Sequence, residues 1–351
     1  MSPNMQDILA KASHSVKRLK EVLHGSKRLH IFTHDNPDPD ALASALALKY
    51  LVHQLWHIQA RIVAGGIVGR AENRAMRRHL KIRLTHAERV PTTALRATAL
   101  VDTQPRAGNN SFPRSLIPTI VIDHHPRTQR RLKARFIDLR PDVGCTATIL
   151  TSYLLAAEVD IPSQLATALF YAIHSETQAL GREAGTIDEE MYLRLFPLTN
   201  KRLLAKIENP TVQKAYFAHL NSAINHAFTH KNVVGTRLGT VSYPDVVAQI
   251  ADLLLTLERI SWSICLGRYK NMLVMSIRTT NVRGKADRRI RRLIGRRGAA
   301  GGHDMMAGAH IDCTDKTPAE WTQLEKELIM RFLHLLGHKS VAELVPLVPP
   351  R

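Results

Sequence analysis

The sequence predicts an α/β protein with two domains, the first of them built on a parallel sheet. Short apolar runs alternate with helical patterns through the first half of the chain, and the runs lack the polar alternation of a half-exposed strand. Continuous apolar strands separated by helices are typical of a parallel sheet covered on both faces. The length of 351 residues leaves room for a second domain. We therefore expect a parallel-sheet domain with helices on both faces and a smaller α/β domain across a cleft.

Apolar spacing and helix stops define the elements of the first domain. An amphipathic helix is predicted over residues 5–23, because its apolar side chains share one face and Gly25 follows. Further helices are predicted from residue 41 and over residues 72–80, 145–158 and 162–174. Strands are predicted over residues 29–33, 60–64, 97–101, 118–122 and 135–139.

The second domain follows a helical stretch that is interrupted at Pro197 and Pro210. We place the first domain at residues 1–209, a helical linker at residues 210–231 and the second domain at residues 232–351. The second domain begins with a hairpin or a single strand, and a helix over residues 245–257 follows. Strands over residues 262–266 and 272–277, a basic segment, a glycine-rich loop over residues 298–308 and a helix over residues 318–336 complete it.

The strongest compositional feature is the charge, which is +19 at pH 7 with a pI near 10.2. Such a field attracts polyanions, so nucleic acid, nucleotides and polyphosphate are candidate ligands. A basic but merely solvated surface is the alternative. Aromatic residues make up only 5% of the chain, which argues against a stacking platform for long single strands.

Cysteine use and hydropathy bear on the compartment. The three cysteines lie far apart without a C-x-x-C pair, so neither a disulfide scaffold nor a zinc ribbon is expected. Lys49, His53 and Arg61 interrupt the most apolar stretch, so no membrane span or membrane partner is expected. The N-terminus lacks the pattern of a secretory signal. These features predict a cytoplasmic protein.

Three predicted strands end in side chains that commonly bind metals. The residues are His34, Asp38 and Asp40 after the first strand, Asp102 after another, and Asp123, His124 and His125 after a third. Because the carboxyl ends of parallel strands meet at one edge of a sheet, these side chains can converge. The alternative is structural: Asp40 would only cap a helix, and the histidine pair would only donate hydrogen bonds in a buried turn.

The ligand types indicate which metal such a site would hold. Carboxylates and imidazoles without thiols suit Mn²⁺, Mg²⁺ or Co²⁺ better than structural zinc. The number of candidate ligands exceeds what one ion needs and points to two. A pair of ions about 4 Å apart activates a bridging water and stabilises the leaving oxygen in phosphoryl transfer.

Four motifs carry a resemblance to a known family. They are H-x-x-x-D-x-D at 34–40, V-D-T at 101–103, V-I-D-H-H-P at 121–126 and G-G-H-D-M-M-A-G-A at 301–309. The chain resembles the DHH phosphoesterase superfamily, in the DHH–DHHA1 branch that includes RecJ-type nucleases and nanoRNA/pAp phosphatases. The motifs occur in the family's order across most of the chain.

The resemblance implies roles for the candidate ligands. One ion would be bound by His34, Asp38 and Asp102, and the second by Asp40, Asp102 and His124, so that Asp102 bridges them. Asp123 would orient His124, and His125 would face the phosphate. Where the family has an aspartate in a fourth motif, this chain has Glu176, within I-H-S-E-T at 173–177. Glu176 is therefore assigned to the second ion.

The glycine-rich segment of the second domain is a candidate phosphate-binding segment. Gly298, Gly301 and Gly302 would permit close approach of the backbone, so that amide groups can meet a phosphate. His303 and Arg278 would add charge-assisted hydrogen bonds. A flexible glycine loop beside a solvated basic helix is the alternative. The resemblance implies that this segment grips the substrate across the interdomain cleft.

The expected protein is a manganese-dependent phosphoesterase with a metal-binding domain at residues 1–209 and a substrate-binding domain at residues 232–351. Its substrates would be short oligonucleotides, pAp-like nucleotides, or both, hydrolysed by a water that two metal ions activate. Exopolyphosphatase, cyclic-dinucleotide phosphodiesterase and RecJ-type exonuclease activities stay open. So does an inactive nucleic-acid-binding protein of the same fold. A homodimer is also left open.

Overall fold

The computed structural model of the chain describes residues 3–182, 184–302, 304–338 and 344–349. It divides into two compact units, Met1–Pro210 and Thr211–Arg351. The segment predicted as a linker, residues 210–231, contains a helix and a strand whose apolar side chains pack within the second unit. Within the described residues, no helix is long and apolar enough to cross a membrane.

Helices and strands alternate in the first unit. Its helices are α1 (Pro3–Leu23), α2 (Pro39–Trp56), α3 (Ala71–His79), α4 (Thr146–Ala156), α5 (Ser163–Glu176), α6 (Thr186–Leu195) and α7 (Lys201–Glu208). Its strands are β1 (Arg28–Phe32), β2 (Gln59–Ala64), β3 (Leu84–His86), β4 (Thr98–Val101), β5 (Ile120–Asp123) and β6 (Phe136–Leu139). Strand β3 was not predicted, because three residues are too few to show a periodic pattern.

The strands form one sheet in the order β3-β2-β1-β4-β5-β6, and every described pairing in it is parallel. The predicted α/β class with a parallel sheet is confirmed. Alternate strand residues, such as Ile31 and Ala99, join a large apolar core with side chains from α1, α2, α4 and α5. This core fixes β1, β4 and β5 side by side and so aligns their carboxyl ends.

The opposite face of the sheet is covered differently. Phe32, Leu100 and Val121 point to that face, where the described apolar partners come from 3-10 turns and loops, including Phe112 and Leu132. The sequence predicts helices on this face as well. Loops occur here because the stretch between β4 and β5 contains three prolines and two asparagines, which favour turns.

The second unit is a mixed sheet with helices on both faces. Its helices are α8 (Lys214–Asn225), α9 (Asp245–Leu254), α10 (Ala286–Ile294) and α11 (Pro318–Leu335). Its strands are β7 (Phe228–His230), β8 (Val233–Thr240), β9 (Trp262–Tyr269), β10 (Met272–Thr279), β11 (Gly298–Gly302), β12 (Met306–Asp312) and β13 (Val345–Pro346). The strand order is β11-β12-β10-β9-β8-β7-β13, and only the β8–β9 pairing is parallel among those described.

Adjacent residues of one strand enter different cores in this unit. Ile264 packs with α10 and α11, whereas Cys265 packs with α8 and α9. The predicted glycine-rich loop is in part a strand, since β11 pairs with β12 at the edge of the sheet. A Cβ atom at Gly298 would lie 2.0 Å from the His310 carbonyl oxygen, so glycine permits this close pairing.

Candidate metal centre

The candidate ligands gather at the carboxyl edge of the parallel sheet. The loop after β1 carries His34 and Asp38, Asp102 directly follows β4, and Asp123 ends β5. These strands are neighbours in the order β1-β4-β5. Parallel pairing therefore brings together residues that lie far apart in the sequence.

The first group of ligand atoms joins the loop after β1 to the end of β4. His34 Nε2 lies 3.4 Å from Asp38 Oδ2 and 3.5 Å from Asp102 Oδ2. The other ring nitrogen of His34 is fixed by a contact of 2.9 Å with the Asp35 carbonyl oxygen. Asp38 also begins helix α2, because its Oδ1 accepts the Ala41 amide at 3.0 Å. One carboxylate thus caps a helix and faces the site.

Asp102 is shared by two groups of potential ligands. His34, Asp38 and Asp102 form one group, and Asp102, His124 and His125 form the other, each with ligand atoms within 4.8 Å of one another. Asp102 Oδ2 faces His34, whereas Oδ1 lies 3.6 Å from His124 Nε2. This carboxylate is therefore placed to bridge two cations.

The backbone at Asp102 is unusual. Its φ angle is 59°, in the left-handed region that most side chains avoid and that aspartate tolerates better than most. The side chain is almost fully buried, and its Oδ1 also accepts a hydrogen bond of 3.1 Å from Thr146 Oγ1. A strained turn directly after a strand thus holds the shared carboxylate in one orientation.

Asp123 orients the second histidine of the pair, not the first. His125 Nδ1 lies 2.8 Å from Asp123 Oδ1, and the His125 amide donates to the same oxygen. His124 Nδ1 instead lies 3.4 Å from the Val143 carbonyl oxygen. The expected Asp123–His124 contact is therefore wrong. The reason is local: the carboxylate of a turn residue reaches the residue two positions later.

The pairing of His125 changes its acidity. Burial works against a charged ring, but the hydrogen bond to Asp123 and the negative charge of Asp102 raise the pKa of His125 to about 9. The ring is protonated at neutral pH in the absence of metal. The side chain is 44% exposed, so a substrate can reach it.

Asp40 binds the N-terminus of another helix. Its carboxylate accepts the amides of Thr146 and Ala147, both at 2.7 Å, and the Ser44 hydroxyl at 3.0 Å. Burial, followed by the negative charges of Asp102, Asp38 and Glu176, raises the pKa of Asp40. Asp40 Oδ2 lies 3.9 Å from His124 Nε2, yet Asp40 is in neither three-residue group. The helix that it caps is α4 rather than its own.

Glu176 reaches the same cluster from the end of α5. Burial and the charge of Asp38 raise the pKa of Glu176, while His124 and Arg182 oppose the rise. Arg182 donates 2.8 Å to the Glu176 carbonyl oxygen and lies 4.0 Å from its Oε1. Glu176 therefore faces the cluster, although it is in neither group of ligand atoms.

Three of the four substrate-binding candidates of the second unit lie in described strands. Gly301 and Gly302 lie in the edge strand β11, and Gly302 has a φ of 142°. Arg278 lies in β10, is mostly buried, pairs with Asp252 and donates 2.6 Å to Ser276 Oγ. His303 lies outside the described residues. Substrate contact by these four residues stays a prediction.

Two residues of the site were missed by sequence reasoning. Gln104 Nε2 donates 2.8 Å to Asp123 Oδ2, and its Oε1 accepts the Thr128 amide. Thr146 contacts both Asp40 and Asp102. Gln104 directly follows the V-D-T motif, so its position was a usable signal. Thr146 had no comparable signal, because its partners lie far away in the sequence.

Metal binding should release protons and strengthen as pH rises. Burial lowers the pKa of His34, but the charges of Asp38 and Asp102 outweigh it and raise that pKa well above its usual range. Without metal the ring therefore holds a proton, which a cation must displace. Calorimetric Mn²⁺ titrations at neutral pH, in buffers of different ionisation enthalpy, should show at least one proton released. A His34→Gln protein should release fewer, and an affinity independent of pH would contradict this assignment.

The chain is similar to known proteins over much of its length. Residues 28–173 match the DHH family, N-terminal domain. An uncharacterised protein of Methanocaldococcus jannaschii is 35% identical over 320 residues, which are 86% of this chain and 65% of that protein. A probable manganese-dependent inorganic pyrophosphatase of Lactobacillus gasseri is 30% identical over 164 residues, covering 46% of this chain and 50% of its own. The chain thus spans about half to two thirds of the length of these relatives.

A solved structure shares the fold of both units. The exopolyphosphatase-related protein of Bacteroides fragilis superposes with a TM-score of 0.68, at 14% identity, over 92% of this chain and 98% of its own. At that identity the likeness concerns the fold alone. The family match covers every metal-ligand candidate except Glu176. Residues 28–173 thus form a DHH-family domain, and over this region the chain is similar to proteins named probable manganese-dependent inorganic pyrophosphatases.

Proposed function

We propose that this protein is a manganese-dependent phosphoesterase that hydrolyses phosphate ester bonds of short oligonucleotides, pAp-like nucleotides, or both. The observation that carries the proposal is the position of Asp102, whose two oxygens face two separate groups of ligand atoms. A purely structural aspartate would not need a left-handed backbone, a buried carboxylate and three neighbouring histidines.

The residues present fit two divalent cations. Oxygen and imidazole donors suit Mn²⁺, with Mg²⁺ or Co²⁺ as alternatives. His34, Asp38 and Asp102 would hold one ion, and Asp102 and His124 the other, with Asp40 or Glu176 completing it. Burial, followed by the charges of neighbouring carboxylates, raises the pKa values of Asp40 and Glu176, and bound cations would offset both effects. Two such ions supply an activated water and neutralise charge on the phosphate.

His125 and Asp123 would act on the substrate. The protonated His125 ring can donate a hydrogen bond to a phosphate oxygen or a proton to the leaving oxygen. Asp123 keeps the ring in place, and Gln104 in turn holds Asp123 through a hydrogen bond of 2.8 Å. This arrangement separates metal binding from proton donation.

Substrate selection is assigned to the second unit. Gly301 and Gly302 lie in β11, which is the edge strand of the sheet among the described residues, so alternate backbone amides there face away from β12. With His303 and Arg278 they would bind a phosphate or nucleotide end. The net charge of +19 favours polyanionic substrates.

Hydrolysis of a phosphoanhydride is the second candidate. The observation in its favour is that several relatives are named probable manganese-dependent inorganic pyrophosphatases. The matches to these relatives span at most 56% of this chain. The substrate in their names is therefore not assigned to the whole protein. Pyrophosphate and polyphosphate therefore belong in the same assay as the oligonucleotides.

A substrate panel tests the proposal. With Mn²⁺, RNAs of a few residues and pAp should be hydrolysed faster than pyrophosphate, polyphosphate or long single strands, and the aromatic content of 5% offers little stacking surface for a long strand. Chelation should remove the activity and Mn²⁺ should restore it. The matched control is the Asp102→Asn protein, which reports contaminating enzymes. Equal or faster turnover of long strands would favour an exonuclease, and faster turnover of pyrophosphate would favour the second candidate.

A further inference from the structure

A basic surface lies on the first unit, away from the metal centre. An open groove of about 740 Å³ runs beside the end of α3 and the start of β3. Five of the seven residues that line it are basic: Arg74, Arg77, Arg78, Lys81 and Arg83. Its volume is in the range of ligand-binding clefts. We refer to these residues as the α3 groove.

The groove and the metal centre occupy opposite edges of the parallel sheet. The metal-ligand candidates follow the last residues of β1, β4 and β5, at the carboxyl edge. Lys81 and Arg83 precede Leu84, the first residue of β3, and so lie at the amino edge. Strands of three to six residues at about 3.3 Å each separate the two edges by roughly 10–20 Å. The groove is therefore a surface separate from the metal centre.

Much of the positive charge of the α3 groove is exposed to solvent. Arg77, Arg78, Lys81 and Arg83 are exposed, and no described carboxylate forms an ion pair with them. The C-terminal end of α3 carries an effective charge of only about −0.5. The neighbouring helix α7 adds Lys206, so that burial, Arg78 and Lys206 all lower the pKa of His79. This cluster of positive charges creates a positive potential that attracts anionic ligands.

We propose that the α3 groove binds the sugar–phosphate backbone of a nucleic acid, independently of the metal centre. Arginine and lysine side chains contact successive phosphates and release condensed counterions. None of the described residues that line the groove is aromatic, which argues against base stacking there. Its concave shape suits a strand better than a flat anionic bilayer, and its aliphatic members, Ile82 and Leu84, are buried or half-buried.

The backbone after α3 holds the basic residues of the α3 groove in place. Lys81 adopts a left-handed φ of 54°, and the Ile82 amide bonds to the Arg77 carbonyl oxygen at 2.9 Å, which closes the end of α3. The turn therefore holds Lys81 and Arg83 beside Arg77 and Arg78 before any ligand binds. A preorganised row of cations binds phosphates at a smaller entropic cost than flexible tails do.

Binding of fluorescent RNA in excess EDTA tests the proposal. EDTA prevents hydrolysis and removes metal, so anisotropy reports only binding that needs no metal centre. The Arg77→Gln/Arg78→Gln/Arg83→Gln protein should bind a long single-stranded RNA at least about tenfold more weakly than the wild type. Three lost phosphate contacts should also reduce the slope of log affinity against log salt by about 2. RNAs of scrambled sequence should bind the wild type equally well.

The matched control removes the same charge elsewhere in the unit. Lys17, Lys20 and Lys27 are exposed, and the Lys17→Gln/Lys20→Gln/Lys27→Gln protein should bind RNA within about twofold of the wild type. Equal losses in both triple variants would overturn the proposal, because net charge alone would then explain binding. So would loss of binding in EDTA, or inorganic polyphosphate binding more tightly than RNA of equal phosphate number. Circular dichroism and thermal melting confirm that both variants are folded.

Discussion

Asp102→Asn is expected to abolish hydrolysis while leaving the fold intact. Asparagine keeps the size and tolerates the left-handed φ of 59°. It can also still accept the Thr146 hydroxyl, which Asp102 Oδ1 accepts at 3.1 Å. What it loses is the negative charge that faces His34 on one side and His124 on the other. Because both proposed ions share this charge, kcat/KM should fall by at least about a thousandfold.

Metal binding and stability separate this outcome from simple unfolding. Burial, followed by the charge of Asp102, raises the pKa of Asp40, whereas the same charge attracts protonated His34 and His125. Because these contributions oppose one another, the metal-free Asp102→Asn protein should melt close to the temperature of the metal-free wild type. Calorimetry should show weaker Mn²⁺ binding. Asp160→Asn is the surface control, since Asp160 is exposed in the same unit. An unfolded Asp102→Asn protein would instead mean that the carboxylate is structural.

The convergence of the metal-ligand candidates could be predicted from sequence because it needs only topology. Once β1, β4 and β5 are recognised as parallel neighbours, His34, Asp102 and His124 must approach one another. The individual partners within the cluster could not be predicted in the same way. Asp40 binds the amides of Thr146 and Ala147, which are more than a hundred positions away in the chain. Contacts of that kind depend on how α2 and α4 pack.

Local interactions explain why two of the structural features predicted from the sequence differ in the structure. Asp123 bonds to His125 because a turn directly after β5 favours a contact two residues ahead. The glycine-rich segment forms strand β11 because Gly298 and Gly302 lack the side chains that would collide with β12. Glycine composition alone does not distinguish a loop from a closely paired edge strand.

Replacement of His125 should impair catalysis without removing metal. His125→Gln keeps a hydrogen-bonding side chain but cannot carry a positive charge or transfer a proton. General acids of this kind contribute about a hundredfold to ten-thousandfold, so kcat should fall by at least about a hundredfold. Mn²⁺ binding should change little if His125 acts on the substrate. A large loss of Mn²⁺ affinity would instead make His125 a ligand in the group it shares with Asp102 and His124.

The pH dependence of kcat distinguishes a proton donor from a residue that only packs in the site. A donor is active while protonated, so activity should decline as pH rises through the His125 pKa, which is about 9 without metal. Bound cations oppose a further positive charge, and the decline should therefore occur at or below that pH. Asp123→Asn replaces the carboxylate whose hydrogen bond and charge, together with the charge of Asp102, raise this pKa, so it should move the decline to lower pH. His125→Gln should lack the decline, and an unchanged profile in both variants would exclude His125 as the donor.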